Sequence, residues 1–72
     1  MSNQEIIALE ASKKGYEYNG NNIYTYPEWS KRGYKPMKGQ RAFCMTHLWT
    51  NGINRRKILV GLFTMEQVTL VS

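Results

Sequence analysis

The residues with the clearest chemical meaning lie between positions 24 and 41, where aromatic and basic side chains are interleaved. Cations bind phosphate groups, and aromatic rings offer flat faces on which unpaired bases stack. The segment contains one acid, Glu28, and the following rings and cations: Tyr24, Tyr26, Trp29 and Tyr34, with Lys31, Arg32, Lys35, Lys38 and Arg41. This combination favours a polyanion that carries bases, a nucleic acid, as the partner.

The positive charge of the chain is concentrated between residues 31 and 57. The 72 residues include 10 Lys and Arg against 5 Asp and Glu, which gives a net charge of +5. No acid lies between Lys31 and Lys57, and that stretch ends in a second basic group at residues 55–57. Such a one-sided field concentrates anionic partners. It is compatible with a nucleic acid, with an acidic protein, or with no partner and a charge that serves solubility.

Catalysis and metal binding have few candidate residues in this sequence. The chain has no Asp, one His and one Cys. His47 and Cys44 are three positions apart in a predicted strand, so their side chains leave opposite faces and cannot share a metal. A lone cysteine also excludes an internal disulfide and a multi-cysteine zinc site. The sequence therefore predicts a protein that is not an enzyme and needs neither a cofactor nor a metal.

Two helices are predicted in the first half of the chain. Ser2 and Glu5 have the spacing of a capping box ahead of an apolar stripe, which predicts a helix over residues 3–14. Thr25 and Glu28 repeat that spacing, and Pro27 suits a first helical turn, so a short middle helix is predicted up to residue 32.

The strongest strand signal is a pair of alternating apolar segments, residues 41–49 and 55–63, with a loop at residues 50–52 between them. This pattern predicts an antiparallel β-hairpin. Two further elements are predicted: a small hairpin of residues 16–18 with 23–24 across an Asn-rich turn, and a short C-terminal helical turn beginning near residue 64. Together they make one small α+β domain over residues 1–72.

The predicted binding residues are the cations and the aromatic residues nearest to them. We expect Tyr34 and Trp49 to stack bases, and Trp29 to lie in the core with Tyr26 beside it. The cations of the middle helix and of the hairpin are expected to meet on one surface and contact phosphates: Lys31, Arg32, Lys35, Lys38, Arg41, Arg55, Arg56 and Lys57.

The order of these motifs resembles the N-terminal domain of the ArdC antirestriction proteins of plasmids and related mobile elements. The matching residues extend over about two thirds of the chain: Tyr24-Thr25-Tyr26, Trp29, Gly33-Tyr34-Lys35, Lys38-Gly39-Gln40-Arg41, Trp49 and Phe63-Thr64-Met65-Glu66-Gln67-Val68. The usual Val-Lys-Lys-Gly-Glu-Lys of the family is here Pro36-Met37-Lys38-Gly39-Gln40-Arg41. The resemblance covers only the N-terminal domain of the family, so the activity of the metallopeptidase-like domain of full-length members is not carried over.

The resemblance implies binding of single-stranded DNA and protection of that DNA from host nucleases. A short chain of this kind is expected to be an accessory protein of a phage or mobile element. The alternative is an inhibitor of the anti-CRISPR type, which docks on a CRISPR effector protein or its guide RNA complex. The sequence leaves open whether the nucleic acid is DNA or RNA, and it leaves the oligomeric state open.

The start of the chain bears on location. Residues 1–14 contain no basic region followed by an apolar run, so no signal peptide is predicted. The apolar runs are also far shorter than the roughly 20 residues of a membrane span. We expect a protein of the host cytoplasm that has no membrane partner.

Overall fold

A computed structural model describes residues 1–50 and 53–71, which form two α-helices, five β-strands and one 3-10 turn. The chain is a small α+β fold, as predicted. In chain order the elements are α1 (Asn3–Lys13), β1 (Ile23–Thr25), α2 (Tyr26–Lys31), β2 (Tyr34–Pro36), β3 (Cys44–Trp49), β4 (Lys57–Thr64), the 3-10 turn (Met65–Gln67) and β5 (Val68–Leu70). None of the helices in the described part of the chain is long and apolar enough to cross a membrane.

Helix α1 confirms the first capping prediction. The Ser2 hydroxyl accepts a hydrogen bond from the Glu5 amide at 3.2 Å, and the Glu5 carboxylate accepts one from the Ser2 amide at 2.9 Å. The second of these bonds is the main cause of the lowered pKa of Glu5. The helix ends where Gly15 adopts a φ of 71°, which lets the Tyr16 amide donate back to the Ala11 carbonyl at 2.9 Å.

Strand β4 is the centre of the main sheet, whose order is β1-β4-β3 with antiparallel pairing throughout. The pairing of β3 with β4 confirms the predicted hairpin, although β3 begins at Cys44 rather than at residue 41. The Thr50 amide donates to the Arg56 carbonyl at 2.8 Å and closes the end of the hairpin. Of the predicted loop at residues 50–52, Asn51 and Gly52 lie outside the described residues.

The two ends of β4 differ in their neighbours. Residues 62–64 pair with β1, and Leu62 also pairs with Cys44 of β3 on the other side; we call these three residues the covered end. Residues 57–61 pair with β3 alone, because β1 is only three residues long. The free side of these residues is called the open edge.

The predicted small hairpin of residues 16–18 with 23–24 is wrong, because β1 pairs with β4 instead. That long-range pairing buries Ile23 completely, and a local hairpin with residues 16–18 offers no comparable burial. The Asn-rich segment still turns, as expected, but through side chains: the Asn19 amide donates to Asn22 Oδ1 at 3.0 Å, and Asn22 Nδ2 donates to the Glu17 carbonyl at 2.9 Å.

The second capping prediction is also wrong in its chemistry. Helix α2 begins after Thr25 with Pro27 in its first turn, but the Thr25 side chain makes no capping hydrogen bond. Glu28 instead directs its two carboxylate oxygens to Lys31 and Arg32, at 3.2 and 2.8 Å. The predicted C-terminal helical turn is confirmed as the 3-10 turn, where the Thr64 amide donates to Gln67 Oε1 at 3.0 Å. A second sheet, β2 with β5, was not predicted.

The core lies mainly on one face of the sheet, beneath α1. Ile6, Ile7 and Ala11 of this helix meet a set of buried residues from the strands: Ile23, Cys44, Leu48 and Leu62. On the other face α2 inserts Trp29, which is 1% exposed and donates from Nε1 to the Phe63 carbonyl at 2.9 Å. Trp29 is therefore a core residue, as predicted.

Candidate nucleic-acid interface

The eight predicted cations are all exposed, but they form two clusters rather than one surface. Lys35 lies on β2 opposite Thr69 of β5, and the Arg41 carbonyl accepts a hydrogen bond from Gln67 at 2.6 Å, so both sit beyond the covered end of β4. We call Lys31, Arg32, Lys35, Lys38 and Arg41 the middle cluster, and Arg55, Arg56 and Lys57 the hairpin cluster.

The two clusters lie at opposite ends of β4. The hairpin cluster precedes and begins the strand, whereas the middle cluster surrounds its last residues and the 3-10 turn. Seven steps along an extended strand correspond to about 23 Å. The expectation that the cations of the middle helix and of the hairpin meet on one surface is therefore not met in this structure.

Two cations of the middle cluster, Lys31 and Arg32, form surface ion pairs with an acid of the same chain. Glu28 binds Lys31 Nζ at 3.2 Å and Arg32 Nη1 at 2.8 Å, and the bond from Arg32 is the first cause of the lowered pKa of Glu28. The Arg32 guanidinium also lies 3.9 Å from the centroid of the Tyr24 ring. Arg32 is thus held in place by a carboxylate and a ring, an arrangement that fixes its charge at the surface.

The remaining cations of the middle cluster have no such internal partner. Among the described residues, the ion pairs are those of Lys13, Lys31 and Arg32. Lys35, Lys38 and Arg41 are exposed and take part in none of them. Their charges are therefore available to an external anion.

Trp49, the last residue of β3, lies beside the hairpin cluster, and its expected role in base stacking stays a prediction. Its backbone amide donates to Asn3 Oδ1 at 2.8 Å, and its indole Nε1 donates to the Met1 carbonyl at 3.2 Å. Arg55 and Lys57 lie 5.5 Å and 5.2 Å from the centroid of its ring. The half-buried indole is therefore fixed by the N-terminus and carries two cations beside its ring.

Tyr34 is more buried than the predicted role in base stacking requires. It is half-buried on β2, and its ring meets the ring of Trp29 at a centroid distance of 5.2 Å and an angle of 67°. The buried Trp29 is the physical reason, because a short helix followed by a glycine brings the next aromatic residue back onto the same ring. Tyr34 thus contributes to the packing of α2.

A groove of about 710 Å³ follows the open edge of β4 between the two clusters, and we call it the β4 groove. Its lining is mainly apolar and aromatic. Trp49 and Ile58 lie at the end near the hairpin cluster, and Glu28 lies at the end near the middle cluster. The residues between them include Tyr24, Tyr26, Met45, Val60 and Phe63.

Tyr26 is the residue of this groove that sequence reasoning missed. It was expected beside Trp29 in the core, but it is 51% exposed and touches the ring of Phe63 edge-on, with centroids 6.4 Å apart. Tyr26 is the first residue of a helix of six residues, so it lies at the rim of the core that Trp29 enters. No pattern in the sequence separates these two positions, because three residues along a helix differ by only about 60° in direction.

The residues considered for metal binding lie apart. Cys44 is buried on the α1 side of the sheet, and burial raises the pKa of its thiol. His47 is exposed and leaves the opposite face of β3, since it is three residues away. Across residues 1–50 and 53–71, no three metal-ligating side chains come together.

Comparisons with models of protein families, with curated proteins and with solved structures found no match to this chain. The resemblance to the ArdC domain therefore stays a prediction. The two clusters and the β4 groove are the features of this chain that bear on its function.

Proposed function

We propose that this protein binds single-stranded nucleic acid along the β4 groove, with phosphates held by the middle and hairpin clusters. The observation that supports the proposal is the arrangement of charge and aromatic surface: exposed cations lie at both ends of a groove lined by aromatic rings. Cations alone fit many anions. Rings placed between two groups of cations fit a strand whose bases are unpaired.

The distance between the clusters sets a length for the ligand. A stacked strand rises about 3.4 Å per nucleotide along its axis, so a length of about 23 Å corresponds to about seven nucleotides. This length falls within the range of about 4–16 nucleotides known for small single-strand-binding folds. We therefore expect affinity to rise steeply between a 4-nucleotide and a 10-nucleotide deoxythymidine oligomer.

The first experiment measures fluorescence anisotropy of labelled 4-mer and 10-mer strands and of a 10-base-pair duplex. With about five phosphate contacts, the logarithm of the association constant for the 10-mer falls with the logarithm of salt concentration at a slope near −3.5. The 10-mer binds more tightly than the 4-mer, and single strands bind more tightly than the duplex. Equal affinities for all three ligands would contradict the proposed groove.

Charge reversal tests the middle cluster directly. We expect Lys35→Glu with Arg41→Glu to weaken binding of the 10-mer and to reduce the salt slope by about 1.4, because two phosphate contacts are lost. The matched control is Lys13→Glu with Lys14→Glu on and after α1, which reverses the same charge away from the groove. If both pairs of substitutions weaken binding equally, net charge rather than the middle cluster is responsible.

The biological role that we propose is the one implied by the resemblance to the ArdC domain. A phage or mobile element would produce the protein in the host cytoplasm, where it would cover single-stranded DNA and shield it from host nucleases. Protection of a labelled single strand from a single-strand-specific nuclease tests this role. Strand binding without any protection would separate the binding activity from the anti-defence role.

A second candidate is an anti-CRISPR-type inhibitor that docks directly on a host defence protein or its guide RNA complex. One feature favours it: residues 57–61 of β4 have no strand partner on one side, beside the hairpin cluster, and a free strand edge can bind the backbone of another protein. Co-purification with an effector, together with no affinity for free DNA or RNA, would support this candidate over the first.

A further inference from the structure

The open edge of β4 leaves backbone groups without partners. The Leu62 carbonyl accepts from the Phe43 amide at 2.7 Å, so residue 62 directs its backbone groups toward β3. Alternate residues of a strand direct these groups to opposite sides. The N–H and C=O groups of Lys57 and Leu59 therefore face the open edge, together with the N–H of Gly61, whereas the Gly61 carbonyl meets the Tyr26 amide where β1 ends.

No strand, loop or side chain of the described residues bonds to Lys57 or Leu59 on that side. At Gly61 the first residue of α2 lies against the strand, so the unoccupied part of the edge extends over residues 57–60. Natural proteins usually cover or interrupt such an edge, since it is a template for another strand. Here the edge contains no proline over residues 57–61.

Apolar side chains flank the edge on both faces of the sheet. Ile58 is 41% exposed on the face that α1 covers, where Ile7 also lines the groove. Leu59 and Met45 are 58% and 57% exposed on the opposite face. An added strand would cover these side chains on both faces while it pairs with the backbone.

We propose that the open edge binds an extended acidic peptide segment of a partner protein as an additional β-strand. Backbone pairing provides the affinity in this mode of recognition, and side chains provide the selectivity. The acidic character follows from the hairpin cluster at the start of the edge, because Arg55, Arg56 and Lys57 are exposed and form none of the ion pairs within the described residues.

The same charges disfavour the binding of a second copy of this chain at the open edge. Cations at a strand edge are a common means of preventing self-pairing, and each copy has a net charge of +5. The positive field that repels another copy attracts an acidic strand. This inference depends on the backbone of one edge and not on bases or rings, so it can fail while the nucleic-acid proposal holds.

The geometry also gives the peptide a direction. Strand β1 already runs antiparallel to β4 at the covered end, and a peptide that continues along the open edge in the same direction keeps the more stable antiparallel pairing. Its C-terminal end then lies beside the hairpin cluster. We expect acidic residues at the C-terminal end of the bound segment, after a short run of strand-forming, mainly apolar residues.

The test selects a random nine-residue peptide library against nuclease-treated protein and compares wild type with Leu59→Pro. Proline removes the N–H of residue 59, which faces the open edge, without removing a bond to β3, and proline is tolerated at strand edges. Leu59→Thr is the matched control, because it also removes the leucine side chain but keeps the N–H. Wild type and Leu59→Thr should enrich acidic, strand-forming peptides.

The enriched peptides should bind Leu59→Pro at least about tenfold more weakly than Leu59→Thr. Equal binding to both variants, or no enrichment by wild type, would overturn the proposal. So would a wild-type dimer in sedimentation that Leu59→Pro converts to a monomer, because the occupant would then be a second copy. If Leu59→Pro does not fold, a synthetic chain joined at Phe43 and Cys44 with an N-methylated Leu59 makes the same comparison.

Nucleic-acid binding serves as the independent measurement. The anisotropy of the deoxythymidine 10-mer should change little between Leu59→Thr and Leu59→Pro, because neither a cation nor a ring differs between them. Loss of oligonucleotide binding in Leu59→Pro alone would show that nucleic acid uses the backbone edge, and this result would also overturn the peptide proposal.

Discussion

The covered end and the open edge of β4 belong to one strand but have opposite surroundings. At the covered end Leu62 is fully buried and Thr64 is 4% exposed, between neighbouring strands and beneath α1. Along the open edge Ile58 and Leu59 are 41% and 58% exposed, although they are as apolar as their buried counterparts. The comparison separates apolar residues that stabilise the fold from apolar residues that remain available to a partner.

The largest expected effect is on stability, and it is measured with one leucine substitution in each of the two regions. Leu62→Ala should lower the free energy of unfolding by about 2–5 kcal/mol, because it leaves a cavity in the core. Leu59→Ala should change it by about 0.5 kcal/mol or less, as is usual for an exposed side chain. Urea unfolding followed by circular dichroism measures both. Similar losses for the two variants would mean that the open edge is part of the core.

The next effect concerns binding and the ring of Tyr26 in the β4 groove. If Tyr26 stacks on a base, Tyr26→Ala should weaken binding of the deoxythymidine 10-mer by about 1–3 kcal/mol, or roughly 5- to 150-fold. Tyr26→Phe is the control, since it retains the ring face and should retain most of the affinity. Because Tyr26 is 51% exposed, neither substitution should greatly change stability. Equal affinity of Tyr26→Ala and wild type would remove this ring from the site.

The elements that could be predicted from the sequence are those whose causes are local. The capping box of Ser2 and Glu5 depends on residues three apart, and the alternation of residues 41–49 and 55–63 depends on neighbours in the chain. The burial of Trp29 followed from the need of a small domain for large apolar groups. Each of these predictions is confirmed.

The features that escaped prediction depend on contacts between distant parts of the chain. Pairing of β1 with β4 joins Ile23 to Thr64, and pairing of β2 with β5 joins Tyr34 to Leu70. The separation of the two clusters follows from these pairings, because they place the middle cluster beyond the covered end. Charge patterns in a sequence identify the cations, but they contain no information on how strands bring them together.

A third test measures how the stability of the fold decreases at alkaline pH. It concerns Tyr16, which lies beside the covered end. The Tyr16 hydroxyl donates to the Glu66 carboxylate just after β4, and burial, followed by this bond, raises the pKa of Tyr16 to about 12. Because the pKa of Tyr16 is raised in the folded state, its protonated hydroxyl contributes its full stabilisation below about pH 10. This stabilisation is lost as the pH rises through about 12.

Tyr16→Phe removes that titration. Wild type should therefore lose stability more steeply than Tyr16→Phe between about pH 10 and pH 12, in thermal unfolding at fixed ionic strength. Substitutions at the open edge, such as Leu59→Thr, should leave this pH dependence as it is in wild type. Identical alkaline profiles for wild type and Tyr16→Phe would mean that the hydroxyl does not couple to folding.

The smallest effect on stability is expected at Glu28, and it sharpens the role of the middle cluster. Glu28→Gln removes two surface ion pairs, those with Lys31 and Arg32, so the free energy of unfolding should fall by about 0.2–1 kcal/mol. The released charges should at the same time tighten binding of the deoxythymidine 10-mer and steepen its salt dependence. Glu10→Gln, which removes the ion pair of Lys13 on α1, is the matched control for the added net charge. Tighter binding in Glu28→Gln alone would place Lys31 and Arg32 at the bound strand, whereas equal tightening in both variants would assign the effect to net charge.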